Sequence, residues 1–404
     1  MSLMPVEDAQ ALLLRDAVPL QTTEDVALAD LVGRVAATEL VARRTQPDFD
    51  ASAMDGYAVR ADDLHHLPAE LRLVGESAAG LAFAGTVGPG EAVRIFTGAP
   101  VPCGADTVII QENTERPAAD VVRIHEREAK GRNIRPAGND FREGAVLVAR
   151  GTRFRAAAVA LAASGGYGAV PVLRRPRVAI AATGDELVAP GEPVGPSQIV
   201  ASNSYGIAAL ARAAGAEVVD YGIVRDDERI LGACVDKAIA DGIDILVTIG
   251  GASVGDRDLV APVLQSRGVA LDFWKIAMRP GKPMMAGRLG AMRVLGLPGN
   301  PASSLVTTEL FLVPLIERLA GRADRGDRFL RGRLGSTLPA NDHRAEFMRA
   351  HLSEDAEGRF HLTPLPRQDS SLLSIFAEAD ALLYRPANAP AAAIGDECRF
   401  IRLD

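Results

Sequence analysis

Arg177-Val178-Ala179-Ile180-Ala181-Ala182-Thr183-Gly184-Asp185-Glu186 decides how this chain is read. The apolar residues from Val178 to Ala182 run without a charge and stop at a Thr-Gly-acid turn. A short apolar run bounded by such a turn suits a strand buried on both faces, the pattern of a parallel sheet. The same rhythm continues downstream. Residues 204–214 are spaced as a helix, 217–224 as a strand ending in Arg225-Asp226-Asp227, and 228–240 as a helix. Residues 243–249 form an apolar strand ending in Gly250-Gly251. A helix near 258–267, strands near 270–277, 283–288 and 292–297, and a long helix at 302–319 complete the set. Strands alternating with helices predict a mostly parallel sheet with helices on both faces.

Working outward, residues 5–18 read as an amphipathic helix through Val6, Ala9, Leu13 and Ala17, ended by Pro19. Residues 28–41 read as a second helical or mixed segment. From about Arg44 to Asp140, short apolar runs alternate with Gly/Pro turns, which predicts a small β-rich unit. Residues 141–172 carry a short β piece, a helix at 156–164 and the turn Gly165-Gly166. Past Gly321, short strands broken by Pro and Gly predict a small β-barrel or sandwich.

The bulk numbers fit a multidomain globular α/β protein. Its 404 residues allow two to four domains at roughly 100–200 residues each. A net charge of −8 argues against a nucleic-acid partner, which needs a basic surface, but not against a basic pocket for a small anion. Cys103, Cys234 and Cys398 are far apart and form no C-x-x-C pair, so neither a disulfide framework nor a zinc site is expected. No apolar run is long enough to span a bilayer, and the N-terminus lacks a signal pattern. A cytoplasmic protein without a membrane partner is expected.

In open parallel sheets, ligands bind beyond the carboxyl ends of the strands. Four such ends are loaded here: Thr183-Gly184-Asp185-Glu186, Asp226-Asp227, the run from Gly250-Gly251-Ala252-Ser253 through Gly255 to Asp258, and Pro298-Gly299-Asn300-Pro301. Glycines let backbone N–H groups converge on an anion. Amides of Ala302, Ser303 and Ser304 at a helix start could hold phosphate. Rim carboxylates suit Mg²⁺. Any one of these turns is ordinarily just a β–α connection, and Asp226-Asp227 alone reads as a helix cap; four on one edge favour a site. Lys275, Arg279 and Lys282, locked by two prolines and a glycine, form either an oxyanion clamp or a solvated loop. On composition alone, the loop holding Asp55 and the stretch Thr97-Gly98-Ala99-Pro100 read as structural. No P-loop, G-x-G-x-x-G, H-E-x-x-H or G-x-S-x-G motif occurs, and His65-His66 has no second ligand pair.

The same residues carry a family likeness. Ser52-Ala53-Met54-Asp55-Gly56-Tyr57-Ala58-Val59-Arg60, Thr97-Gly98-Ala99-Pro100, Thr183-Gly184-Asp185-Glu186-Leu187, the loop 250–255, Pro280-Gly281-Lys282-Pro283 and Leu297-Pro298-Gly299-Asn300-Pro301 closely resemble the molybdopterin molybdenumtransferase (MoeA) family, which is similar to the C-terminal domain of gephyrin. The motifs stand in the family's order over nearly the whole chain.

That resemblance implies four domains: a linker domain from 1–44 and 141–175, a β-rich inserted domain at 45–140, the α/β molybdopterin-binding domain at 176–325, and a C-terminal β domain at 326–404. It implies a homodimer with sites shared between chains, and leaves room for contact with the upstream adenylyltransferase and recipient molybdoenzymes. The implied reaction inserts molybdate into adenylylated molybdopterin with release of AMP, using Mg²⁺. By motif, Asp55 and Thr97 are the inserted domain's contribution. Glu186, Asp227 and Asp258 are the acidic catalytic and metal-binding residues; Lys275, Arg279 and Lys282 are the basic ones. Asp140, Arg349 and Ser371 match further family positions. Ala252, Arg279 and Phe96 stand where the family commonly has Val, Lys and Met. Two rival readings are the adenylyltransferase step on the same α/β fold and a non-catalytic gephyrin-like scaffold.

Overall fold

The computed structural model describes residues 3–251, 259–322 and 328–403. Two compact units emerge: 1–24, 33–37 and 172–404 in the first, 25–32 and 38–171 in the second.

The first unit is built on a six-stranded sheet. Its strands, in chain order, are β1 (Arg177–Thr183), β2 (Glu217–Val224), β3 (Ile245–Ile249), β4 (Ala270–Trp274), β5 (Met285–Leu289) and β6 (Met292–Leu297). They lie in the order β2-β1-β3-β6-β5-β4. The first four in that order are parallel, and β5 and β4 join antiparallel at one edge. Side chains alternate across the sheet, as a period of two requires. Val178 and Ile180 pack with Ile207, Ala211, Phe311 and Leu315 on one face. Ala179 and Ala181 pack with Leu231, Val235, Val260 and Leu264 on the other. Helices therefore cover both faces, and the strands read as apolar runs for that reason.

The helix expected at 302–319 runs as Pro301–Thr307, a π segment Thr308–Leu312, and Val313–Leu319. Pro314 explains the interruption. It lacks an N–H, and its ring crowds the carbonyl four residues back, so the turn before it widens. That carbonyl, on Leu310, accepts a hydrogen bond from Gln10 Nε2 at 2.8 Å. The N-terminal helix Val6–Leu14, which the resemblance assigns to the linker domain, is thereby anchored within the first unit, burying Val6, Ala9 and Leu13.

Five strands at the C-terminal end close on themselves. Ala345–Glu354 pairs with both Phe360–Pro364 and Ala381–Arg385, and Glu397–Arg402 and Leu330–Leu334 complete the ring. A barrel filled by Leu334, Leu362, Leu383 and Phe400 thus replaces the barrel-or-sandwich alternative. The short strand Met278–Arg279 pairs outside the ring on Ala345–Glu346, which ties the basic loop to the barrel.

The second unit has its own six-stranded mixed sheet, in the order Thr107–Ile110, Gly56–Val59, Glu91–Ile95, Ala69–Ser77, Val121–Ile124, Thr114–Ala118. Tyr57, Leu71, Ile109 and Val122 fill its core. Of the helical and mixed alternatives at 28–41, the structure takes the mixed one: a 3-10 turn, Leu28–Asp30, and a two-residue strand, Leu40–Val41. Gly33, at φ 83°, and several β-branched residues disfavour a continuous helix there. No helix among the described residues is long and apolar enough to cross a membrane.

Candidate active site

The chain passes from β1 to β2 on one side and then crosses to β3 on the other, so the order reverses between β1 and β3. Loops leaving their carboxyl ends diverge and open a crevice at this switch point. A cavity of about 710 Å³ lies there, within the roughly 300–1,000 Å³ of ligand pockets. Thr183, Gly184 and Glu186 line it from β1, Gly250 and Gly251 from β3, and Pro298, Gly299, Asn300 and Pro301 from β6. Asn203, Asp226 and Ser371 also reach it.

Hydrogen bonds shape this floor. Thr183 Oγ1 donates to Ile249 O at 3.1 Å, joining the two strand ends. Gly250 has φ 94°, and a Cβ there would stand 2.7 Å from Thr183 O; only glycine fits. Asn203 Nδ2 donates to Gly299 O at 2.6 Å, and Ser304 Oγ donates to Pro298 O. The expected phosphate-binding helix start is different. The Ala302 N–H donates to Ser370 O at 3.0 Å and that of Ser304 to Asn300 O at 2.9 Å, while Pro301 has none. Two of the three expected amides, those of Ala302 and Ser304, are already paired, so the glycine turns offer the better cradle.

The acidic residues sort differently from expectation. Glu186 lines the cavity; Asp227 does not. Asp227 Oδ1 accepts from the N–H groups of Arg229 and Ile230 at 2.8 and 3.1 Å, capping the helix Glu228–Ala240. Its neighbour Asp226 faces the cavity instead. Burial, and then repulsion from Asp185 and Glu186, push the Asp226 pKa up. Ser253, Gly255 and Asp258 lie outside the described residues.

Among the described residues, no three His, Cys, Asp or Glu side chains converge as a ready-made metal cage. Mg²⁺ does not need one: it keeps several waters and takes one or two carboxylates plus substrate phosphate. Glu186 and Asp226 fit that role, and a cation would relieve the repulsion that raises the Asp226 pKa.

A second cavity, of about 280 Å³, adjoins the first and shares Pro283, Asn300 and Ser303 with it. Arg279, Lys282, Arg344 and Arg349 line it, together with Glu346. Of the expected clamp, Arg279 and Lys282 are present but Lys275 is not. Lys275 is a turn residue at φ 74°, its N–H donating to Met284 O and its carbonyl accepting from Met4 N–H. Arg279 is already engaged: Asp342 lies 3.3 Å and Glu346 3.6 Å from its guanidinium, and Nη2 donates to Asn341 Oδ1 at 3.2 Å. Arg349 is 1% exposed; burial pulls its pKa down, and Nη2 donates to Asp369 O at 3.0 Å. Ser371 sits at the larger cavity, its N–H and Oγ bound to Asp369 Oδ1. Arg344 carried no sequence signal, because the barrel strand that delivers it is recognisable only once the ring closes.

In the second unit, Ser52 Oγ donates to Met54 O at 2.6 Å, tightening the turn that presents Asp55. Asp55 Oδ1 accepts from the Thr97 N–H and Oγ1 at 2.7 and 2.8 Å. These bonds hold the Asp55 carboxyl below the usual range. Gly56 lets the following strand close: a Cβ there would stand 1.8 Å from Ile109 O. The structure therefore brings Asp55 and Thr97 together.

Comparison with known proteins agrees along the whole chain. Residues 4–166 match the MoeA N-terminal region (domain I and II), 179–318 a probable molybdopterin binding domain, and 331–403 the MoeA C-terminal region (domain IV). The molybdopterin molybdenumtransferase of Nostoc sp. is 38% identical over 396 residues, covering 95% of this chain and 90% of that protein. That of Bacillus subtilis is 35% identical over 371 residues, covering 90% and 86%. The crystal structure of a molybdopterin biosynthesis MoeA protein from Pyrococcus horikoshii OT3 superposes with a TM-score of 0.84 at 29% identity, covering all of both chains. With its fold, its switch-point crevice and these relatives in agreement, the chain belongs to the molybdopterin molybdenumtransferase (MoeA) family of molybdenum cofactor biosynthesis.

Proposed function

We propose that this protein inserts molybdate into adenylylated molybdopterin and releases AMP, with Mg²⁺ as cofactor, in the cytoplasm. The observation that carries this reading is the pair of adjoining cavities. The larger suits a pterin with its pyrophosphate, in glycine-lined walls at the switch point. The smaller, lined by four cations, suits a tetrahedral dianion. Asn300, Ser303 and Pro283 border both, so a molybdate in one would abut the pterin in the other, and proximity lowers the barrier to their reaction.

The chain's own groups have distinct parts to play. The backbone of Gly250, Gly251 and Gly299 admits the pyrophosphate closely; Lys282 and Arg349 orient the dianion. Glu186 and Asp226, with Asp258 as the resemblance implies, would hold Mg²⁺, whose chemistry is to neutralise charge on the phosphates as the P–O bond breaks. The family likeness further supports a homodimer in which Asp55 of one chain serves the site holding Glu186 of the other.

Crystals of the protein soaked with molybdate, AMP and Mg²⁺ test this division. Anomalous signal from molybdenum is expected beside Arg349, and the AMP phosphate at the glycine turns. Molybdenum bound elsewhere, or AMP outside the larger cavity, would contradict it.

A further inference from the structure

The four cations of the smaller cavity are not equivalent. Arg279 already has two carboxylates, Asp342 and Glu346, and a side-chain amide, Asn341. Arg344 and Arg349 differ. Arg344 meets Asp342 through Nη2, at 3.1 Å, and among the described residues the Arg349 guanidinium donates to a backbone carbonyl, Asp369 O, with the Asp369 and Glu346 carboxylates acting on its charge. The Nε of each, like that of Arg279, is buried without a hydrogen-bond partner among the described residues. Buried N–H groups left without an acceptor are rare and call for an explanation. Three of them on residues lining one cavity match an acceptor that the protein itself does not supply. A fully ionised tetrahedral dianion has four acceptor oxygens and no donor, which is what guanidinium N–H groups need.

Glu346 has the opposite character. It lines the same cavity yet offers only acceptors, so it cannot bond such an anion. It stands 3.6 Å from Arg279 Nε, beyond hydrogen-bond range, and that Nε is itself unpartnered. The carboxylate therefore neutralises Arg279 without tying it down.

We propose that Arg344 binds the oxyanion alongside Arg349, and that Glu346 is an internal counterion that holds Arg279 back and keeps the anion's affinity low. This rests on the reading of the smaller cavity as the molybdate site. The consequence is a site that takes its anion without trapping it, as an anion destined for transfer requires. Arg344 raises affinity and Glu346 lowers it, so charge removal at the two positions has opposite effects.

Isothermal titration of the full-length protein with sodium molybdate alone, and with sodium tungstate alone, tests this at constant chloride ionic strength. Arg344→Gln should weaken binding about tenfold or more, the loss expected for a charge-assisted bond, and Arg344→Lys should recover part of it. Arg349→Gln should weaken binding to a similar degree. Glu346→Gln should tighten binding several-fold, about half a decade or more. AMP affinity and melting temperature, measured on each variant, report whether the larger cavity and the fold persist. Should Arg344→Gln fail to fold, Arg344→Lys and Glu346→Gln carry the test. Normal affinity in Arg344→Gln with loss in Arg349→Gln would overturn the role of Arg344 while leaving the molybdate site standing. Weaker or unchanged binding in Glu346→Gln would overturn the counterion. Unchanged affinity in all variants would remove the oxyanion assignment of the cavity itself, and the proposal with it.

Discussion

Arg349→Met separates a binding arginine from a structural one. The side chain is 1% exposed, donates one hydrogen bond, to Asp369 O, and has no carboxylate in hydrogen-bond contact among the described residues. Methionine removes that bond, a loss of about 0.5–1.5 kcal/mol. It also removes a buried charge; replacing buried ionic groups by apolar ones of similar volume is often neutral or stabilising by about 1–4 kcal/mol. The two effects roughly offset, so stability should hold or rise slightly. The anion loses a charge-assisted partner, about 1.5–3 kcal/mol, or roughly ten- to a hundredfold in affinity. Calorimetric unfolding and tungstate titration of the same preparation read both quantities. A melting temperature that falls by several degrees with anion affinity intact would refute the reasoning and make Arg349 a structural residue.

Other expectations follow from the larger cavity and from the second unit. Asp226 has a raised pKa in the folded protein, so its ionisation opposes folding: the contribution is favourable below the ordinary aspartate range and is lost as pH climbs through the raised value. Asp226→Asn should therefore raise the melting temperature at pH 7 while slowing AMP release; a lower melting temperature at that pH would contradict it. Gly250→Ala forces a side chain to φ 94° and against Thr183 O. Strain of about 1–3 kcal/mol should appear in chemical denaturation, together with lost AMP binding; wild-type values for both would show that the turn relaxes freely. Co-expressed Asp55→Ala and Glu186→Ala chains should recover about a quarter of the sites if each site draws on two chains of a two-fold dimer, read as AMP release. Confirmed mixed dimers without activity would dismiss the shared site.

Some of this was legible in the residues and some was not, for physical reasons. β1 and β3 were plain because strands buried on both faces have no polar positions to blur the pattern. Glycine turns at their ends marked the crevice, since few residues other than glycine tolerate those backbone angles. Residues 28–41 left two alternatives open because apolar and β-branched residues at mixed spacing do not distinguish a helix from turns and short strands. Asp226 and Asp227 could not be told apart by sequence: which carboxylate caps the helix depends on where the chain turns, and the structure gives the cap to Asp227. Lys275 looked like part of a clamp because it lies near Arg279 in sequence, but its turn conformation keeps it off the cavity lining. Arg344 and Glu346 were invisible because they reach the cavity through the long-range pairing of Met278–Arg279 with Ala345–Glu346, which no local pattern encodes.

The central claim is a reaction, and turnover tests it directly. Purified protein is supplied with adenylylated molybdopterin, Mg²⁺ and increasing molybdate, and AMP is followed by chromatography. AMP release should rise with molybdate to saturation, with molybdenum recovered on the pterin in equal amount. AMP release indifferent to molybdate, or adenylylation of free molybdopterin from ATP with no release at all, would contradict it.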